Sequence, residues 1–164
     1  MNTESVTQAQ ETIVIERTYR ASIQDIWDLW TTKEGFESWW GPVGFRADVH
    51  EIDARAGGAL RYDMVADTPE TIAAMKDMGG PSHKVGARFT ELRTRERLVI
   101  RNVIDFLPGV TPYENDIAVD FISLGDEVKM VITLHAMHSA DFSRMQKEGL
   151  TSQLTKLDKR FGGR

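Results

Sequence analysis

The chain has 164 residues, 41% hydrophobic and 27% charged, with a formal net charge of −5. That balance is ordinary for a folded domain and opposes binding to nucleic acid or anionic membranes, which draw on clustered basic charge. The absence of cysteine excludes disulfides, thiolate metal sites and a cysteine nucleophile together.

Residues 1–11 read as a disordered tail, and the first twelve residues have neither the charged nor the apolar region of a secretory signal. No apolar run approaches the ~20 residues of a membrane span, so a cytoplasmic protein is expected. Residues 12–164 read as one domain. Ile13, Ile15 and Arg17-Thr18-Tyr19 open a strand by period-two alternation. Ser22 is a plausible cap for a short helix carrying Ile23, Ile26, Trp27 and Trp30 on one face. Thr31 to Glu34 fits a capping box, and a second short helix carries Phe36, Trp39 and Trp40 before Gly41-Pro42 stops it.

Strands follow over 45–54 and 59–66, turning at Gly57-Gly58. The segment 67–81 reads as an inserted helix with Pro69 in its first turn and Ile72, Met75 and Met78 on one face. It serves either as a lid or as cover for the edge of the core, and an apolar stripe favours cover. Strands at 85–92 and 98–105 make a hairpin around Thr94–Glu96, and 117–124 and 127–136 a second one at Gly125-Asp126. The last segment is a helix from a Ser139 cap to about Phe161, ended by Gly162-Gly163. Its apolar residues Phe142, Met145, Leu150, Leu154, Leu157 and Phe161 recur at helical spacing and need a broad partner, which a curved antiparallel sheet provides.

That order of elements, with Trp39-Trp40-Gly41-Pro42, Gly57-Gly58 before a strand and a Ser-capped last helix, resembles the family named for the activator of Hsp90 ATPase. This family belongs to the START/Bet v 1-like (helix-grip) superfamily. The match spans residues 12–161, and the stretch Asp105-Phe106-Leu107-Pro108-Gly109-Val110 with the inserted helix looks like a bacterial subgroup. The resemblance implies an α+β helix-grip fold, a sheet of six or seven strands curved around the last helix. It also implies an apolar cavity between the two. Relatives often carry Gly-Trp in the last helix where this chain has Gly149-Leu150. A glycine there reflects either close approach of a neighbour or room for a ligand. The eukaryotic activator reaches its partner with an additional domain that this chain lacks, which makes a chaperone partner the weaker expectation.

Three functional readings follow. The first is binding of a small apolar or aromatic molecule, lined by Trp39, Trp40, Tyr62, Met64, Met130 and Leu150, with Arg101 or His135 as the polar contact. Alternation turns Leu60, Tyr62 and Met64 toward the helix and Arg61 and Asp63 away, whereas the faces of Arg88, Glu91, Arg101 and Asn102 stay unresolved. The second is a cyclase- or dehydratase-like enzyme using His135 and Tyr62 as acid–base pair. The third is a chaperone-associated module, which needs an exposed apolar patch on the inserted helix. His50, His83, His135 and His138 have no metal-ligand spacing, and no phosphate loop, dinucleotide fingerprint or nucleophile elbow occurs, so neither metal nor cofactor is expected. A homodimer is left open.

Overall fold

The computed structural model describes residues 12–77, 79–104, 109, 111–135 and 139–162. The tail expected over residues 1–11, and Met78, Asp105, Phe106, Leu107, Pro108, Val110, Met137 and His138, lie outside the described residues. Strand β1 (Thr12–Tyr19) leads into helices α1 (Ile23–Thr31) and α2 (Lys33–Glu37), then β2 (Phe45–Ile52) and β3 (Ala59–Ala66). Helix α3 (Pro69–Met75) precedes β4 (Ser82–Arg93), β5 (Arg97–Ile104), β6 (Tyr113–Ser123), β7 (Val128–His135) and the long α4 (Ala140–Phe161). The seven strands form one sheet in the order β1-β7-β6-β5-β4-β3-β2, with every neighbouring pair antiparallel. This is the α+β helix-grip arrangement, a curved sheet around the terminal helix. Register shifts at Val49/Glu51 and Phe89/Glu91 mark bulges, which sharpen bend and twist.

Helix ends follow local chemistry. The Ser22 hydroxyl accepts from the Asp25 amide at 3.1 Å, and Ser139 from the Phe142 amide at 3.2 Å. Each satisfies an amide that the first helical turn leaves unpaired. The cap of α2 is Thr32, not Thr31: its hydroxyl accepts from the Gly35 amide at 3.0 Å, while Thr31 donates to the Trp27 carbonyl. With glycine at the third position no capping box can close. Because α2 ends at Glu37, Trp39 and Trp40 lie in the turn after it rather than on it.

Strand alternation sorts the side chains. Ile100, Ile117, Val119, Ile132 and Leu134 are buried on the concave face. The convex face carries cross-strand ion pairs, among them Arg101–Asp116, Arg97–Asp120 and Arg88–Glu114. Helix α4 buries Leu150, Gln153, Leu154 and Leu157. Met145 is off that stripe and 56% exposed, since five residues from Leu150 is about 140° around a helix. Helix α3 contributes no buried residue and Ile72 is 46% exposed, which corrects the expectation of core cover. Hydroxyls hold this helix instead: Thr68 and Thr71 cap each other, and Thr71 donates to the Gly44 carbonyl at 2.8 Å.

Candidate functional site between the sheet and the last helix

Polar side chains of α4, three of them foremost, tie it to the rest of the fold. Gln146 donates to Asn115 Oδ1 of β6 at 3.0 Å, Gln153 Oε1 accepts the Gly41 amide at 3.1 Å, and Asp158 accepts the Tyr19 hydroxyl at 2.8 Å. Arg17, on the concave face beside Met130, pairs with the same Asp158 at 3.3 Å. The C-terminal half of α4 is thus bolted to β1, and its N-terminal half is tied to β6 through Asn115.

The Trp39-Trp40 pair splits into two roles. Trp39 belongs to the packing: its indole donates to the Leu29 carbonyl at 2.9 Å and its ring meets Trp30 edge-on at 5.0 Å. Met130 likewise is occupied by the core, its sulfur accepting the Trp30 indole at 3.3 Å. Trp40 stacks on Phe36 at 4.6 Å and donates to the Tyr62 hydroxyl at 2.9 Å. That hydroxyl therefore serves as acceptor, and its own proton has no acceptor among the described residues. Burial pushes the Tyr62 phenol from its ordinary 10.0 up to about 12, so it stays a neutral hydrogen-bond donor at physiological pH.

Of the remaining expected site residues, Met64 and Leu150 face the space between sheet and helix. Met64 is half-buried with its sulfur 3.1 Å from where a Cβ on Gly41 would stand, and Leu150 is buried on the inward stripe. Arg101 and His135 do not join them. Inward Ile100 and Leu134 precede them in the strands, so period-two alternation turns both to the convex face. There Arg101 grips Asp116 through two bonds of 2.7 and 2.9 Å, and its guanidinium holds the Asp116 carboxyl below the usual carboxylate range. Tyr62 and His135 lie on opposite faces of the sheet, which removes the expected acid–base pair.

The polar groups that do point inward went unrecognised in the sequence. His83 sits opposite Met64 on the concave side of β4, and Asn102 opposite Asn115. Among the described residues, His83 Nε2, Gln146 Oε1 and Gln153 Nε2 are buried without a hydrogen-bond partner, as is Asp63 Oδ1 on the other face of the sheet. Buried polar atoms are normally paired, so the two orphans on one flank of α4 mark a place built to meet something else, while the His83 ring lies beside Gly79. Their signal was present: Gln146, Leu150, Gln153, Leu154 and Leu157 share one helical stripe, and two glutamines in a buried stripe are out of place there.

Gly149 lies between the two glutamines on the same flank, and a Cβ added to it would meet nothing within 4 Å. Close approach is therefore not the reason for this glycine. It leaves a notch in the helix. Gly149→Ala is expected to raise stability by about 1 kcal/mol through helix propensity, read as a later urea midpoint. An earlier midpoint would mean that a neighbour fills the notch. A separate open groove of about 480 Å³ runs along the outer side of α4, lined by Arg144, Lys147, Glu148, Thr151, Ser152 and Thr155. It faces away from the sheet.

The Tyr62 shift has a consequence for stability. Between pH 10 and about 12 the folded state keeps a proton that the unfolded chain has lost. Stability is then intact below pH 10 and falls as pH rises through this window, by up to about 3 kcal/mol at roughly 1.4 kcal/mol per pH unit. Tyr19, pushed up by burial and its bond to Asp158, acts in the same direction. Urea unfolding at pH 9 and pH 11.5 tests this: Tyr62→Phe should lose less stability than the parent between the two. An equal loss would show that Tyr62 titrates normally.

Among the described residues, no helix is long and apolar enough to cross a membrane, and no three acidic or histidine side chains form a metal-holding group. No curated protein matches the chain in sequence. Among solved structures, a protein from Chromobacterium violaceum is similar at 22% identity with a TM-score of 0.73, covering 92% of this chain and 96% of that one. The AHSA1 protein of Silicibacter pomeroyi is similar at 18% identity and a TM-score of 0.72, with the same shares covered. An AHSA1-like protein from Aeromonas hydrophila gives 18% and 0.62, covering 92% and 94%. These likenesses show the fold. The family model described as Activator of Hsp90 ATPase homolog 1-like protein matches residues 20–162, and the chain belongs to that family.

Proposed function

We propose that this protein binds a small apolar or aromatic molecule between the concave face of the sheet and α4, beside Trp40, Tyr62, Met64 and Leu150. The observation that carries the reading is the coincidence, on one flank of α4, of the orphaned Gln146 and Gln153 side-chain atoms with an open position at Gly149. Ligand sites are mostly apolar with a few orienting polar groups, and this flank has that make-up. Catalysis is supported less. Tyr62 with a pKa of about 12 is too weak an acid for general acid–base work near neutrality, and His135 is on the other face. A chaperone-facing role would draw on Ile72 and Val43, which are exposed beside the Thr71–Gly44 contact, but two side chains fall short of the contiguous apolar patch of a docking surface.

The test is native mass spectrometry of freshly purified protein against its denatured mass. A reproducible extra mass, released on denaturation and absent from Gly149→Leu, is the expected result. A ligand retained by that variant would place binding elsewhere.

A further inference from the structure

We infer that the ligand of this site is uncharged at its polar end and is held there by side-chain amides. Such a ligand carries an uncharged polar group able to accept from Gln153 or to donate to Gln146, such as a carboxamide, lactam or imide. The inference rests on the binding function proposed above and specifies its chemistry.

The argument begins with which groups remain unsatisfied. Gln153 is 4% exposed; its oxygen is used by the Gly41 amide, and its amide nitrogen is buried with no partner. Gln146 is the mirror case: its nitrogen is used by Asn115, and its oxygen is buried with no partner. Seven residues apart, they stand about 10 Å apart along the helix axis, on the flank that Gly149 leaves open. One orphan seeks an acceptor and the other a donor. Asn115 is itself fixed, its amide donating to the His135 carbonyl at 2.9 Å, so Gln146 cannot simply flip without breaking a second bond. Tyr62 adds one more donor, its own proton being unassigned.

Charge is the second part. An anionic ligand group would call for a facing cation, because a charge removed from water is costly unless paired. The arginines of β4 and β5 that could have met it, Arg88, Arg97 and Arg101, face the convex side in ion pairs. Arg17 is inward but engaged by Asp158. Lys156, about one turn beyond Gln153, donates to the Gly41 and Phe45 carbonyls at 2.8 and 3.1 Å. Burial also holds its ammonium below the usual lysine value. A cationic ligand finds no carboxylate either: Asp158 is engaged by Tyr19 and Arg17. Apart from His83, whose ring lies beside Gly79 on the concave side of β4, what remains for a ligand is neutral and polar.

Matched aromatic probes test this in the full chain: 2-naphthamide and 2-naphthoate, titrated at pH 7.5 while side-chain amide and indole resonances are followed by ¹H–¹⁵N NMR. The expected result is binding of the amide about tenfold or more tighter than the carboxylate, with the Gln146 and Gln153 side-chain amides shifting. Gln153→Met, of similar volume, should bring the two within about threefold, chiefly by weakening the amide. Equal or tighter binding of the carboxylate, with the Gln153 resonances moving, overturns the neutral-ligand inference and leaves the site standing. An undiminished preference in Gln153→Met overturns its assignment to this side chain. If neither probe binds and the Gln153 and Trp40 resonances stay still, the binding site itself is wrong.

Discussion

Trp39→Ala is expected to lower stability by about 4 kcal/mol, within the range for emptying a buried tryptophan site. The ring is almost wholly buried and meets both Trp30 and Trp40 edge-on at 5.0 and 5.2 Å. Its indole also satisfies the Leu29 carbonyl, one of the four that the C-terminus of α1 leaves without an intrahelical donor. Domains of this kind have about 5–15 kcal/mol in total, so the variant should be largely unfolded at modest urea. Trp39→Phe should recover the packing but not the bond, and lose less. A midpoint close to the parent for Trp39→Ala would show that the aromatic cluster is not what joins α1 and α2 to the sheet.

The second large effect is expected at Gly35, where no side chain fits. A Cβ there would lie 2.0 Å from the Asp28 carbonyl oxygen and 2.8 Å from the Thr32 hydroxyl. Both are backbone or cap atoms at the α1–α2 junction, so relief requires moving one helix away from the other. Gly35→Ala should destabilise by about 3 kcal/mol, at the upper end for overpacking, although alanine is the better helix former. The contrast with Gly149→Ala is the useful comparison. The same substitution in two helices should change sign, because one glycine touches a carbonyl and the other touches nothing. Chemical denaturation of both variants reads this directly, and equal signs would contradict it.

Much of the fold was legible because turn chemistry and period-two alternation agree. Gly57-Gly58 and Gly125-Asp126 delimit real strand pairs, and alternation turned Tyr62 inward and Arg61 outward, as their burial has it. The faces of β5 and β6 were harder. Leu98, Val99 and Ile100 are buried consecutively, as are Ile117, Ala118 and Val119, so the pattern loses its period. Adjacent Thr31 and Thr32 are equivalent as caps by residue type, and only in the fold does Thr32 meet the Gly35 amide while Thr31 bonds back to Trp27. His135 follows buried Leu134 in β7, and counting from that residue already sends it outward. The glutamines of α4 are hidden in the pattern because they sit between the apolar members of the stripe. What no pattern supplies is the absence of partners for Gln146, Gln153 and His83, which depends on three elements distant in sequence.

The most direct measurement of the site uses the fluorescent apolar probe N-phenyl-1-naphthylamine with three proteins: the parent, Gly149→Leu and Thr151→Leu. The first variant fills the open space at Gly149, on the flank of Gln146 and Gln153, and the second places the same side chain in the outer groove of α4. Saturable binding to the parent, weakened about tenfold or more by Gly149→Leu and unchanged by Thr151→Leu, is the predicted result. Binding that survives Gly149→Leu and is lost in Thr151→Leu would move the site to the outside of the helix and contradict the assignment made here.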